Sequence, residues 1–151
     1  MMPLPDSFNA SLAEFGKTLG IELMLEDGRC NFIVDDTIEV ELDYIEDAHV
    51  VVAWATVGLA IEDNYQGERA RALLALNELD APNGGFSISM DPEMRRVIVH
   101  DHRPAELFDS ADRIAVWIGA LVDLVYHIRN DFEKRFPCAD IPFDDEIEEE
   151  A

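Results

Sequence analysis

Apolar positions along the chain alternate between two periods, and the changes of period mark out its elements. Phe8, Leu12, Phe15 and Leu19 recur at steps of four, three and four, the spacing of one helix face. Asp6 or Ser7 is placed to cap that helix, and Gly20 to stop it. Asp27-Gly28 is a turn pair, residues 30–34 read as a short strand, and Asp35-Asp36 breaks it. Residues 37–44 then alternate strictly. Ile38, Val40, Leu42 and Tyr44 point one way and Glu39, Glu41 and Asp43 the other, as in a strand with one wet face. The run 50–57 is apolar at both parities and predicts a central strand covered on both sides.

A second helix is expected from Asp63, where Gln66 completes a capping-box spacing, through Leu79, with a broad apolar surface of Leu73, Leu74, Leu76 and Leu79. Pro82-Asn83-Gly84-Gly85 punctuates. Phe86, Ile88 and Met90 alternate as a strand, and residues 96–102 return as its hairpin partner. Asp109 or Ser110 caps the longest helix, whose stripe is Ile114, Ile118, Leu121, Val125, Ile128 and Phe132; Pro137 ends it. The order is α-β-β-β-α-β-β-α: an α+β sandwich of three helices on an antiparallel sheet, forming one domain over residues 1–136. Residues 137–151 are expected to be an unstructured acidic tail.

Composition narrows the partners. With 33 Asp+Glu against 11 Lys+Arg the formal charge is −22, which repels nucleic acid and anionic membranes. Seven acids and no base fall between Asp140 and Glu150. No secretory pattern opens the chain, and the best apolar run, Ile114 to Val122, is too short for a bilayer, so the cytoplasm is the expected compartment.

Candidate chemistry is sparse. Gly84-Gly85 follows a helix and precedes a strand, the reverse of a phosphate loop, so it reads as a turn. His100 and His102 share a strand face and can approach one metal, but a site needs further ligands, and only His49, His127 or acids are left to supply them. The row Glu39, Glu41, Asp43 reads as a solvated face that discourages edge pairing rather than as a catalytic dyad. No serine stands in a nucleophile turn, and Cys30 lies inside a strand without an adjacent base. The expectation is a binding protein, with no catalytic residue and no cofactor. Alternatives are an adaptor domain, a metal protein using His100 and His102, and an acidic mimic of nucleic acid.

Several strings carry a resemblance: Leu25-Glu26-Asp27-Gly28-Arg29-Cys30, Ile38-Glu39-Val40-Glu41-Leu42, Ala72-Leu73-Leu74-Ala75-Leu76-Asn77, and Gly84-Gly85-Phe86-Ser87-Ile88-Ser89-Met90-Asp91-Pro92. In this order, over about Phe8 to Phe132, they resemble the Tir chaperone family, the class I chaperones of type III secretion. The resemblance implies a cytosolic homodimer without ATPase activity that holds an N-terminal segment of a secreted effector in extended form. It points dimerisation to Leu73, Leu76, Leu79, Val97 and Val99. Effector contact is pointed to Phe8, Leu12, Phe15, Leu25 and Phe32, with an added strand at a sheet edge. His100-Asp101-His102 and the acidic tail depart from the family's pattern.

Overall fold

A computed structural model describes residues 4–60, 67–78, 81, 83–91, 93 and 96–136 of the chain. Its elements are α1 (Leu4–Leu19), β1 (Arg29–Val34), β2 (Ile38–Ile45), β3 (Val50–Ala60), α2 (Glu68–Ala75), β4 (Ser87–Asp91), β5 (Arg96–Pro104), a 3-10 turn (Ala105–Leu107) and α3 (Ala111–Arg135). The five strands form one antiparallel sheet in the order β1-β2-β3-β5-β4. The sheet, the helix order and the α+β class are those expected from the pattern of apolar positions.

Local chemistry fixes the boundaries. α1 ends in a Schellman motif: Gly20 takes φ 77°, its N–H donates to the Lys17 carbonyl, and the Ile21 N–H reaches back to Gly16 O at 3.0 Å. The helix begins at Leu4, earlier than the Asp6 or Ser7 cap predicts, because Pro5 is tolerated in a first turn whose N–H groups need no partner. Asp27 and Gly28 both adopt left-handed backbone, and Glu26 and Arg29 exchange N–H···O bonds across them, as a two-residue hairpin turn requires. Ser110 caps α3 by accepting from the Arg113 N–H at 3.4 Å.

Two expectations change. α2 spans Glu68–Ala75, shorter than its leucine pattern suggests, with Leu76 already at its C-cap; the Asp63–Gln66 capping box and Leu79 lie outside the described residues. β3 occupies the centre, but only one of its faces is fully covered. Val51, Ala53, Ala55 and Val57 are buried under the helices, while Val50, Val52, Trp54 and Thr56 are half-buried on the outward face. No regular element among the described residues is needed there, because the outward residues shield one another across strands. Trp54, for example, lies between Glu41 of β2 and His100 of β5.

The core fills the space between the inward sheet face and the helices. Ile38, Val40, Leu42, Val97 and Val99 supply the sheet side; Phe8, Leu12, Phe15, Ile114, Leu121, Val125 and Ile128 supply the helix side. Aromatic rings join the parts: Phe8 meets Phe108 edge-on at 6.1 Å, and Phe15 meets Phe32 edge-on at 6.0 Å. Arg129 of α3 ties the end of the sheet to the helix layer by donating to the Val57 carbonyl at 2.6 Å.

Candidate functional site

The two edges of the sheet are finished differently. At the β4 edge, Asn77 just beyond α2 behaves as a one-residue strand. Its amide Oδ1 accepts from the Ile88 N–H at 2.8 Å and its Nδ2 donates to the Ile88 carbonyl at 2.9 Å. Asn83 holds the approach in place by donating to the Leu76 carbonyl at 2.6 Å, while Gly84 and Gly85 turn the chain with φ 63° and 88°.

At the other edge, β1 pairs with β2 alone among the described residues. The Tyr44 N–H donates to the Gly28 carbonyl, so alternation along this ladder sends the N–H and C=O groups of Arg29, Asn31 and Ile33 away from β2; Glu26 takes those of Arg29, and those of Asn31 and Ile33 face the open side. Ile33 is 61% exposed although its neighbours Phe32 and Val34 turn inward or pack at the margin.

Beside that edge lies a groove of about 690 Å³ between the outer face of α1 and residues 21–24. Ala10 and Ala13 give it a smooth wall, Lys17 and Asp6 its charged rim, and Ile21 and Met24 its opposite lip. Met24 is 57% exposed. The lip sits close to the helix because residue 16 is glycine: a Cβ there would stand 2.8 Å from the Ile21 carbonyl oxygen and 3.0 Å from Leu23 Cγ. Asn9 fastens the far end by accepting from the Leu25 N–H at 2.9 Å. An open strand edge next to an apolar trough is suited to an extended peptide: the edge supplies main-chain hydrogen bonds and the trough takes alternate side chains.

The residues singled out from the sequence fall in two layers. Phe8, Leu12, Phe15 and Phe32 are in the core beneath the groove, and Leu25 is partly buried against it. Leu73, Val97 and Val99 are also core; Leu76 packs at its margin, and Leu74 is the exposed large apolar residue on the described part of α2. The accessible set, Ala10, Ala13, Met24 and Ile33, was missed. Ile33 was the detectable one, an apolar residue at the outward parity of its strand. Ala10 and Ala13 carry no distinguishing signal in sequence.

The outward face of β2 is electrostatically tense. Glu41 is pushed above the ordinary carboxylate range by burial first, and then by the Asp43 carboxylate beside it; Arg29 and the Trp54 ring N–H oppose the shift. Burial also raises the Cys30 thiol, which makes it an inert core thiol rather than a nucleophile. His100 lies 2.8 Å from Ser89 Oγ and His102 is exposed; among the described residues no group of three His, Cys, Asp or Glu is placed to hold a metal.

The frame is a three-helix, five-strand antiparallel fold with one edge closed by the chain itself, one edge open among the described residues, and a trough flanking it. The Tir chaperone protein (CesT) family model matches residues 10–129, and the chain belongs to that family. Solved structures share the fold. The ExsC-ExsE complex gives a TM-score of 0.68 at 18% identity, covering 89% of this chain and 96% of that one. The HopA1-SchA chaperone-effector complex gives 0.67 at 21%, covering 86% and 99%. The heterodimeric ExoU-SpcU complex from the type III secretion system of Pseudomonas aeruginosa gives 0.57 at 15%, covering 76% and 88%. No curated protein matches the sequence. Among the described residues no helix is long and apolar enough to cross a membrane.

Proposed function

We propose that this protein is an effector chaperone of type III secretion, which binds an extended segment of a secreted protein and keeps it ready for export. The observation that carries the reading is the open β1 edge beside the α1 groove, set against a β4 edge that the chain closes with its own Asn77. Membership of a chaperone family supports it, as do the chaperone-effector complexes among the related folds. The protein acts by binding, without an enzymatic step, in the cytoplasm, as a single domain with an acidic extension. The core residues Phe8, Leu12, Phe15 and Phe32 support the groove from below, Leu25 flanks it, and Met24 and Ile33 meet the effector. Self-association is assigned to the α2 side, where Leu74 is 68% exposed beside Leu73 and Leu76.

The test is co-purification of the tagged chain from its source cell with mass spectrometry of what it captures, alongside Met24→Asp and Ile33→Pro. Ile33→Pro removes an outward N–H without touching the β1–β2 ladder. The expected result is a secreted protein bound to the parent chain and lost from both folded variants, with the parent dimeric by light scattering at micromolar concentration. Capture of no secreted protein, or full retention by both variants, refutes the binding surface; a monomer refutes the dimer.

A further inference from the structure

Strand register at the β1 edge fixes which side chains an incoming segment sets against the sheet. β1 pairs with β2 so that Arg29, Asn31 and Ile33 stand opposite Asp43, Glu41 and Glu39 on the outward face. Cys30 and Phe32 stand opposite Leu42 and Val40 on the buried face. A segment added at the edge bonds to the outward main-chain groups of Asn31 and Ile33 and takes up the same alternation. In either strand direction, its residues level with Asn31 and Ile33 point outward. The residue between them points to the helix side, where Phe32 meets Phe15.

The outward rows differ in charge. Arg29 answers Asp43 within the chain, at 3.8 Å. Glu41 faces Asn31 and Glu39 faces Ile33, so the strand at the edge sets no cation opposite either glutamate. Among the described residues neither of the two forms an ion pair. Glu41 is the better placed to receive one. Trp54 of β3 stands directly behind it, and burial together with Asp43 already disfavours its charged form, a field that an added cation would offset. A residue level with Asn31 on an added strand stands about 10 Å from the Glu41 backbone, two strand spacings. Asn31 between them is short and exposed. The long stem of a lysine or arginine spans it, laying its methylenes over Asn31 while the charged end meets the carboxylate. An acid at that level adds a third negative charge beside Glu41 and Asp43. Level with Ile33, which is exposed, an aliphatic residue makes an apolar cross-strand pair instead.

We propose that Glu41 is a specificity residue of the β1 edge, which prefers extended segments with Lys or Arg level with Asn31 and an aliphatic residue two positions away, level with Ile33. The inference rests on the edge being the effector site and adds which charge the segment carries and which carboxylate meets it. Segments with a polar or acidic residue level with Asn31 keep the main-chain hydrogen bonds and bind more weakly.

The experiment presents the full chain to an array of random strand-length peptides at low salt, beside Glu41→Gln, Ile33→Pro and Glu106→Gln. Glu106 is exposed in the 3-10 turn, so its variant makes the same change of net charge away from the edge. The parent and Glu106→Gln are expected to enrich alternating peptides that carry Lys or Arg two positions from Val, Ile or Leu. In a synthetic copy of an enriched peptide, replacing that basic residue by Gln should weaken binding to the parent about two- to fivefold, the worth of an exposed ion pair. The same replacement should leave binding to Glu41→Gln unchanged. Salt at about 0.5 M should remove most of the difference. A parent without basic preference, or an equal loss with the parent and Glu41→Gln, overturns the role of Glu41 and leaves the edge standing. A preference that falls as far in Glu106→Gln as in Glu41→Gln is an effect of net charge and overturns it too. Enrichment of no alternating peptide, or full retention by Ile33→Pro, overturns the edge as the binding site, and the proposal with it.

Discussion

Truncation of Phe15 separates a residue that holds the groove up from one that touches its occupant. Phe15 is 4% exposed and meets Phe32 edge-on at 6.0 Å beneath the contact of α1 with the sheet. Phe15→Ala removes a buried ring and leaves a cavity between α1 and β1, a change that costs about 3–5 kcal/mol in well-packed cores. For a domain of this size each kcal/mol lowers Tm by about 2–4 °C, so the expected fall is about 6–20 °C. A domain stable by about 5–15 kcal/mol survives this, partly loosened. Met24→Ala, at a half-exposed position, should lie within about 0.5 kcal/mol of the parent, below the resolution of the same melt. The assay is thermal unfolding by circular dichroism of both variants at one concentration, followed by partner binding below the lower Tm. If Phe15→Ala melts with the parent yet loses its partner, Phe15 is an accessible anchor and its placement in the core is refuted. If Met24→Ala instead lowers Tm by as much as Phe15→Ala, the lip of the groove is part of the core.

Gly16→Ala gains about 1 kcal/mol of helix propensity but forces its Cβ to within 2.8 Å of the Ile21 carbonyl oxygen, a backbone atom that cannot turn away; the expected net result is a lower Tm and a lip displaced from α1, and an unchanged or higher Tm refutes the close approach. Glu41→Gln should stabilise the chain at about pH 7, because a carboxyl with a raised folded pKa costs stability as pH rises through that value. The advantage should shrink as pH falls through the raised Glu41 value toward the ordinary carboxylate range, where Glu41 is protonated in the folded chain; an advantage equal at all pH values, read from urea melts, contradicts the repulsion that Asp43 exerts on Glu41.

Periodicity carried the architecture because most elements bury one face only. α3 repeats Ile114, Ile118, Leu121, Val125, Ile128 and Phe132 at helical steps and all six are buried; β2 alternates and buries Ile38, Val40, Leu42 and Tyr44. The pattern failed where the same residue type serves two purposes. The apolar run 50–57 reads as covered on both faces, yet cross-strand neighbours shield its outer side, a property of the sheet rather than of the strand. Phe8, Leu12, Phe15 and Phe32 are the residue types an effector groove would use and also those a core uses, and only the three-dimensional arrangement assigns them to the second. The groove's own wall, Ala10 and Ala13, is defined by small size and by the approach of residues 21–24, which no local pattern encodes. Closure of the β4 edge by Asn77 is equally invisible, since it depends on an asparagine reaching Ile88 eleven residues on.

An open strand edge beside an apolar trough invites pairing with any unfolded chain, including a second copy, and the placement of charge opposes that outcome. β2, one strand behind the edge, presents Glu39, Glu41 and Asp43 on its outward face. In two sheets paired edge to edge these rows stand about 14 Å apart, three strand spacings, so their opposition is weak and screened, and an incoming strand beside β1 lies nearer to them, at about two spacings. The cost of crowding acids there is already visible within one chain, where Asp43 and burial hold Glu41 above its ordinary range. A segment with basic or neutral residues at the matching parity meets no such repulsion and gains the same main-chain hydrogen bonds. The three acids one strand behind the β1 edge therefore favour basic or neutral extended chains over acidic ones at that edge.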